Sequence, residues 1–451
     1  MRRNEKRGMK WIFLFLWHYF LTRRRRRWRD RQSFEAWQER QVLKRLAFVR
    51  KRSPFYRELW GGVPLAEWRQ FPLINKALMM EHFDTLNTVG ISREEALEVA
   101  LEAERSRNFQ PRIGSITVGL STGTSGNRGL FLVSESEQAA WAGVMLAKVL
   151  PEPFWRPQRI AFFLRANSNL YQSVQSGKLQ FQYFDLLESI EGHVERLNRY
   201  NPGILAAPPS MLRLLALHKQ NGLLTICPHT VISVAEVLDP IDADAIVGAF
   251  GGRIDQIYQC TEGFLASTCS FGTLHLNEDI VHIGKEYADG DGSGRKFVPV
   301  VTDFSRITQP IIRYRLNDVL TEAEGPCPCG SIFTAIEAIE GRCDDIFYLA
   351  SLEDGRLIPV FPDYWSRAII SASPKILEYR VIQHGEADVE LQLLVAPGAD
   401  QGDIQNRVAD AIAELAQKMN CRAPSLAFAG YSAPLRGQKL RRVERRWSVD
   451  I

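Results

Sequence analysis

The chain of 451 residues contains no apolar run of the roughly 20 residues that a membrane-spanning helix needs. Trp11 to Leu21 (WIFLFLWHYFL) comes nearest, but it is eleven residues long and includes His18 and the Tyr19 hydroxyl. No small-residue cleavage site follows this run, which sets aside a secretory signal peptide. No Gly-Lys-Ser/Thr is found after the glycine-rich stretch at 120–129, so the chain carries no Walker loop there. Seven cysteines, odd in number and unevenly spaced, do not make a disulfide ladder and suit a reducing cytoplasm. Tandem repeats are absent, as is any low-complexity tract beyond Arg23 to Arg27.

The net charge of +4 hides an asymmetry. Residues 1–60 hold 19 Lys/Arg against 5 Asp/Glu, which leaves 37 against 47 for the rest, or −10. A mildly acidic body argues against nucleic acid as a partner of the main domains. Two readings fit the basic N-terminus. It lies at the inner face of a membrane, with aromatics down and arginines on anionic headgroups, or it is a poorly structured leader with Met9 as initiator.

What is present begins with Leu120 to Gly129, LSTGTSGNRG. Plausible strands flank it, Ser115–Gly119 before and Leu130–Val133 after. Glycines and hydroxyls in such a loop leave backbone N–H groups free for a polyanion, and Arg128 adds charge. The alternative is a polar hairpin turn. Periodicity predicts helices over 34–51, 138–150, 188–200 and 211–220, and strands over 159–164, 204–207 and 230–234. Alternation of this kind implies a layered α/β domain.

Four further stretches follow in order: Gln256-Ile257-Tyr258-Gln259-Cys260-Thr261-Glu262-Gly263, Pro310 to Asp318, Ile339 to Asp345, and Pro434 to Val443. With the loop at 120–129 they resemble the motifs of the adenylate-forming superfamily. The nearest branch is that of phenylacetate–CoA ligase and the coenzyme F synthetase-like enzymes. Phe71 to Lys76 is similar to that branch's opening segment. The resemblance covers about residues 35–445 and implies a large α/β adenylation domain (31–343), joined by a hinge to a small, mobile α+β domain (344–451), with 1–30 as a separate basic and apolar segment.

The resemblance implies two half-reactions. A carboxylic acid, aryl or short acyl, attacks ATP to give acyl-AMP and pyrophosphate. CoA or a carrier-protein thiol then displaces AMP. Ser121, Thr122, Gly123, Thr124, Ser125 and Gly126 would wrap the phosphates, Thr261 would bond the α-phosphate, and Glu262 would hold Mg²⁺, an ion that prefers oxygen ligands. Asp318 would grip the ribose diol, since a carboxylate accepts one bond from each hydroxyl. Asn317 stands where the family has glycine. Tyr258 would flank the adenine and Glu236 would line the same pocket. Arg342 and Asp344 match the hinge. Lys439 matches the lysine that the small domain inserts into the site during adenylation. Two alternatives stay open: an adenylyltransferase leaving AMP on a cofactor hydroxyl, and a non-catalytic nucleotide-binding protein.

Cys269 and His275, spaced Cys-x5-His, and Cys327-Pro328-Cys329 supply three thiolates and an imidazole, a set typical of structural zinc. The alternative is buried cysteines and a turn. In the small domain, 377–382 and 389–394 alternate by two, and 402–419 is amphipathic. The glycine-rich lid usual after the hinge is replaced by Phe347 to Gly355.

Overall fold

Helices come first because the opening hundred residues place apolar side chains three and four apart. The computed structural model describes residues 2–25, 28–106, 111–120, 129–164, 177–186, 188–287, 294–433 and 440–448. Helix α1 (Arg2–Arg25) is followed by α2 (Arg31–Arg52), α3 (Pro54–Trp60), α4 (Lys76–Glu81), α5 (Phe83–Leu86) and α6 (Arg93–Ser106). Asp30 caps α2, and Ser53 caps α3 with Pro54 in its first turn, so the predicted break at 53–56 is a helix-to-helix corner. Residues 11–21 are the middle of α1 and not an unstructured leader: Phe15, Tyr19 and Thr22 are buried.

The next unit is an antiparallel sheet of β1 (Arg112–Ile113), β2 (Ile116–Leu120) and β3 (Leu130–Ser134). β2 and β3 pair from Ile116↔Ser134 to Leu120↔Leu130. They are the two strands expected on either side of the glycine-rich loop. Helix α7 (Glu135–Val149) starts directly afterwards, three residues before the predicted start. A capping box explains this, with Ser134 and Glu137 satisfying each other's backbone donors.

Among the described residues, twelve strands form one mixed sheet. Its parallel half has the order β5 (Leu179–Asp185), β4 (Gln158–Leu164), β6 (Ile204–Ala207), β7 (Thr230–Val234), β8 (Ile254–Cys260). Helices α8 (Ile190–Tyr200), α9 (Pro209–Gln220) and α10 (Pro240–Phe250) are the crossovers that parallel pairing requires. β6 is buried at every position, as expected for a strand covered on both faces. The sense reverses at the β8 hairpin. The antiparallel half continues through β9 (Gly263–Thr268), β10 (Leu274–Leu276), β15 (Ala335–Arg342), β14 (Asp318–Glu322), β12 (Lys296–Asp303) and β11 (Val281–Tyr287), with β13 (Tyr314–Arg315) against β12.

A second apolar core lies beyond Arg342, around Phe347, Trp365, Tyr379, Val381, Leu391 and Val408. It is built on β16 (Phe347–Ala350), β17 (Leu357–Val360), helices α11 (Pro362–Ala372) and α12 (Gln401–Lys418), and the four-stranded sheet β20 (Ser425–Gly430), β19 (Asp388–Val395), β18 (Ile376–Gln383), β21 (Val443–Arg445). Side-chain charges join the two cores. Arg442 chelates Asp242 of α10 at 2.7 and 2.9 Å and donates to Glu378 at 2.9 Å, Arg213 of α9 bonds Asp242 at 2.9 Å, and Tyr379 donates to Asp239 at 2.6 Å.

Helix α1 lies along α7 so closely that a Cβ at Gly143 would sit 2.4 Å from the Phe15 carbonyl oxygen and 2.9 Å from the Tyr19 nitrogen. A Gly143→Ala substitution therefore forces α1 away from α7. We expect a loss of about 1–3 kcal/mol, the usual cost of overpacking, read as faster tryptic cleavage in the arginine run that follows Leu21. Unchanged cleavage would show that the contact does not hold α1 in place.

Candidate active site

Strands of a parallel block deliver their C-terminal ends to one edge, and ligands of open α/β sheets bind beyond that edge. Here β7 ends at Val234, just before Ala235, and β8 at Cys260, and a cavity of about 1710 Å³ opens beside them. Ala235 has φ +67°, a left-handed conformation that costs a non-glycine residue free energy and marks the turn as a site under constraint.

The two-residue turn after β8 carries Thr261 and Glu262. Glu262 is buried, yet it is satisfied on both oxygens: Tyr314 donates to Oε1 at 2.8 Å and the Thr261 hydroxyl to Oε2 at 2.8 Å. Arg306 donates to the Thr261 carbonyl at 2.5 Å. Tyr314 is placed by a bridge to Ile74, with Ile74 N–H to Arg313 O at 3.0 Å and Arg315 N–H to Ile74 O at 2.9 Å. That bridge also sets Lys76, two residues on, at the cavity wall. Burial lowers the Lys76 pKa and the nearby Glu262 carboxylate pulls it back up.

Asp318 opens β14 and stands directly across from Arg342 of β15. Its Oδ2 accepts from the Tyr258 hydroxyl. Burial first, then the Asp318 charge, push the Tyr258 phenol well above its ordinary pKa, so it stays a donor. Burial and the Glu262 and Asp318 carboxylates push the Cys260 thiol up as well, so it is no ready nucleophile. Asn317 donates to Asp344, tying the turn before β14 to the short 3-10 turn Cys343–Asp345.

Thr261, Glu262, Asp318, Arg342 and Asp344 thus line a single cavity, with Tyr258 behind Asp318. Glu236 does not join them among the described residues. It accepts from the Ser210 N–H at 3.3 Å, and its neighbour Ala235 is the one that faces the cavity. Ser121 to Gly126, Arg128 and Lys439 lie outside the described residues. Their flanks are informative: Leu120 and Phe131 line the cavity, and two side chains pin the β3 hairpin to the segment after Asp303. Gln309 accepts from Leu132 N–H at 2.8 Å and donates to Leu130 O at 3.2 Å. Glu137 accepts from the N–H groups of Ile307 (2.6 Å) and Thr308 (2.9 Å) and from the hydroxyls of Ser134 and Thr308.

The cavity continues away from these groups along an apolar arm. Trp141, Val144, Val149, Phe162, Ala206 and Ile232 belong to it, and Leu14 and His18 of α1 line the same cavity. Phe162, Phe181 and the α1 residues are cavity positions that nothing beyond apolar periodicity marks in the sequence. Tyr314, Arg306 and Glu137 were equally hidden, because their partners are 45 to 171 residues away.

A second cluster is separate from the cavity. Ligand atoms of Cys269, His275, Cys327 and Cys329 all lie within 4.8 Å of one another. The Cys269 and Cys327 Sγ atoms are 3.8 Å apart, and Cys329 Sγ is 3.4 Å from His275 Nε2. A tetrahedron with Zn–S bonds near 2.3 Å has edges of about 3.8 Å. His275 Nδ1 is 2.9 Å from the Phe333 carbonyl, which fixes Nε2 as the ligand atom. Phe271 and Ser331 N–H groups each point at a sulfur, at 3.4 Å. This donor set fits one zinc ion and leaves no position for a substrate.

No family model and no curated protein matches the chain. Solved structures do. A 2-hydroxyisobutyryl-CoA ligase in the postadenylation state, in complex with 2-HIB-AMP, superposes with a TM-score of 0.64 at 18% identity, over 90% of this chain and 89% of that one. An open conformation of the same ligase with 2-HIB-AMP and CoA gives 0.55 at 18% identity, over 89% of this chain and 90% of that one. The amide bond synthetase McbA from Marinactinospora thermotolerans gives 0.51 at 15% identity, over 71% and 66%. The chain has the α/β fold of these ligases.

Glu137 supplies a test of how the hairpin is held. Burial raises its pKa, but the hydrogen bonds from Ser134, Ile307 and Thr308 outweigh burial and leave it below the ordinary carboxylate value. A depressed pKa contributes stability above the unfolded value of about 4.3 and loses it as pH falls through the folded value. Glu137→Gln should cost about 1–3 kcal/mol at neutral pH. Denaturant midpoints of variant and parent should converge as pH drops below about 4; a gap that stays constant with pH would contradict this role.

Proposed function

We propose that the protein is an ATP-dependent ligase that adenylates an apolar carboxylic acid and then passes the acyl group to CoA or another thiol. One observation carries this reading: Thr261, Glu262, Asp318 and Arg342, distant in sequence, converge on one cavity in a chain with the adenylate-forming fold. The roles follow from the chemistry of each group. Asp318, buttressed by the Tyr258 hydroxyl, offers carboxylate oxygens to a vicinal diol. The Thr261 hydroxyl can bond an α-phosphate oxygen, and Glu262, held by Tyr314, is the oxygen ligand suited to Mg²⁺ beside the phosphates. Ser121 to Gly126 would cradle the outer phosphates. Lys439 would neutralise charge where carboxylate meets phosphorus, as positioned cations do in phosphoryl and nucleotidyl transfer.

The apolar lining at Val144, Phe162 and Ile232 favours an aryl or aliphatic acid. Neighbours of this fold captured with an acyl-AMP and CoA favour a thiol acceptor over a hydroxyl that keeps AMP. The division at 343/344, with a small domain that swivels, belongs to the same reading and is supported by the separate core around Trp365 and Tyr379.

The test is incubation with ATP, Mg²⁺, CoA and a library of carboxylic acids, read by mass spectrometry and by acid-dependent ATP–pyrophosphate exchange. We expect acyl-AMP and acyl-CoA for apolar acids. Lys439→Ala should lower exchange by at least roughly a hundredfold while sparing thioester formation from synthetic acyl-AMP. Exchange retained in Lys439→Ala, or stable AMP conjugates in place of thioesters, would overturn the assignment.

We also propose that Cys269, His275, Cys327 and Cys329 hold a structural zinc ion that fastens β10 to the loop before β15. Metal analysis of purified protein should find about one zinc per chain, lost in Cys327→Ser with a fall in stability of several kcal/mol. Equal zinc content in parent and variant would remove the site.

A further inference from the structure

Between Trp11 and Leu21 helix α1 is apolar except for His18 and the Tyr19 hydroxyl, and a helix apolar nearly all round belongs in a core or in lipid. The protein covers only half of it. Phe15 and Tyr19 are buried, packing edge-on against Phe154 with ring centroids 5.3 and 4.9 Å apart. The other half faces outward: Phe13 is 64% exposed, Trp17 56% and Phe20 52%, with Met9 and Ile12 beside them. Positions 9, 13, 17 and 20 form one stripe along the helix. Trp155, from the turn after α7, extends the patch by stacking on Phe20 at 6.1 Å.

Charge is sorted along the same helix. Lys10 is exposed before the stripe, and Arg23 and Arg24 after it. The sequence places Arg2, Arg3, Lys6 and Arg7 in the first turns. Glu5 is the only acid among the 24 residues of the helix. Other N-terminal arginines are engaged inside the protein: Arg25 bonds the Asp279 carbonyl and stacks on Trp37, and Arg31 clasps Glu278. Among the described side chains, the outward set pairs an aromatic stripe with Lys10 toward one end and Arg23 and Arg24 at the other. The apolar stretch spans about 16 Å, half of a hydrocarbon core, so it can lie in an interface but not cross it. No described helix is long and apolar enough to cross a membrane.

We propose that α1 seats the protein on an anionic lipid bilayer, with Phe13, Trp17, Phe20 and Trp155 in the interface and the flanking Lys and Arg on the headgroups. Apolar area plus a basic patch is the pair of signals that surface binding requires. The inner face of the same helix presents Leu14 and His18 to the apolar arm of the cavity. One helix diameter, about 10 Å, then separates the bilayer from the acid pocket. That link to the acid rests on the ligase reading, whereas the docking does not.

The experiment is co-sedimentation of the full chain with phosphatidylcholine vesicles and with vesicles containing phosphatidylglycerol. We expect binding to the anionic vesicles that weakens with added salt. The triple variant Phe13→Ser/Trp17→Ser/Phe20→Ser, altered only at exposed positions, should partition roughly tenfold or more weakly. A second variant, Lys10→Glu/Arg24→Glu, should lose the preference for anionic lipid and flatten the salt dependence. Equal partitioning of parent and both variants would overturn the proposal. So would a concentration-dependent dimer in the parent that the triple variant abolishes, since a second copy would then cover the stripe. Exchange with a water-miscible acid should be the same in parent and triple variant. If neither protein shows exchange, the ligase reading fails and the vesicle result stands on its own.

Discussion

The Glu262 carboxylate sits at the turn where the central sheet changes from parallel to antiparallel, and the rest of the site is arranged around keeping it there. A buried carboxylate without partners would cost several kcal/mol or take up a proton. Tyr314 and Thr261 prevent both, one oxygen each. Tyr314 in turn depends on the backbone bridge to Ile74, which brings a segment from the helical N-terminal region into the sheet and sets Lys76 at the cavity wall. Thus the charge at the end of β8 explains why a stretch two hundred residues upstream is drawn in.

The same economy of contacts explains the glycine-rich loop. Its strands, β2 and β3, belong to a small sheet separate from the main one. Two side chains, Glu137 and Gln309, fasten that sheet to the segment following Asp303, which also supplies Arg306 to Thr261. The loop's roots and the turn at Glu262 are therefore fixed to a common support. Relative position is set by buried hydrogen bonds, which tolerate little displacement before they fail.

The layered α/β class, the strands at 204–207 and 230–234, the two strands on either side of the glycine-rich stretch and the alternation at 377–394 were legible because periodicity encodes them locally. So was the meeting of Thr261, Glu262, Asp318 and Arg342, through motif resemblance. Glu137 was not, because a glutamate three residues into a helix looks like an ordinary capping acid and its second set of donors lies about 170 residues on. The extent of α1 was hidden for a different reason. Its basic flanks break the apolar pattern, yet arginine and lysine are good helix formers, so the helix runs past both ends of the run. Glu236 read as a pocket residue from its place after β7. The left-handed twist at Ala235 turns Ala235, and not Glu236, to the cavity.

Three residues after Lys439, Arg442 is held by Asp242 and Glu378, with Arg213 on the far side of the same carboxylates. This charged network joins the two cores alongside one small apolar cluster, in which Val298 and Val319 meet Ile346 and Phe361. A boundary of packed leucines would resist separation by exposing apolar surface to water, at about 25 cal/mol per Å². Charged groups instead recover hydration when they part, so much of what is lost in ion pairing is returned. The swivelling small lobe of the proposed reaction would be better served by the second kind of contact. The network can fix the chain beside Lys439 in one arrangement without making that arrangement permanent.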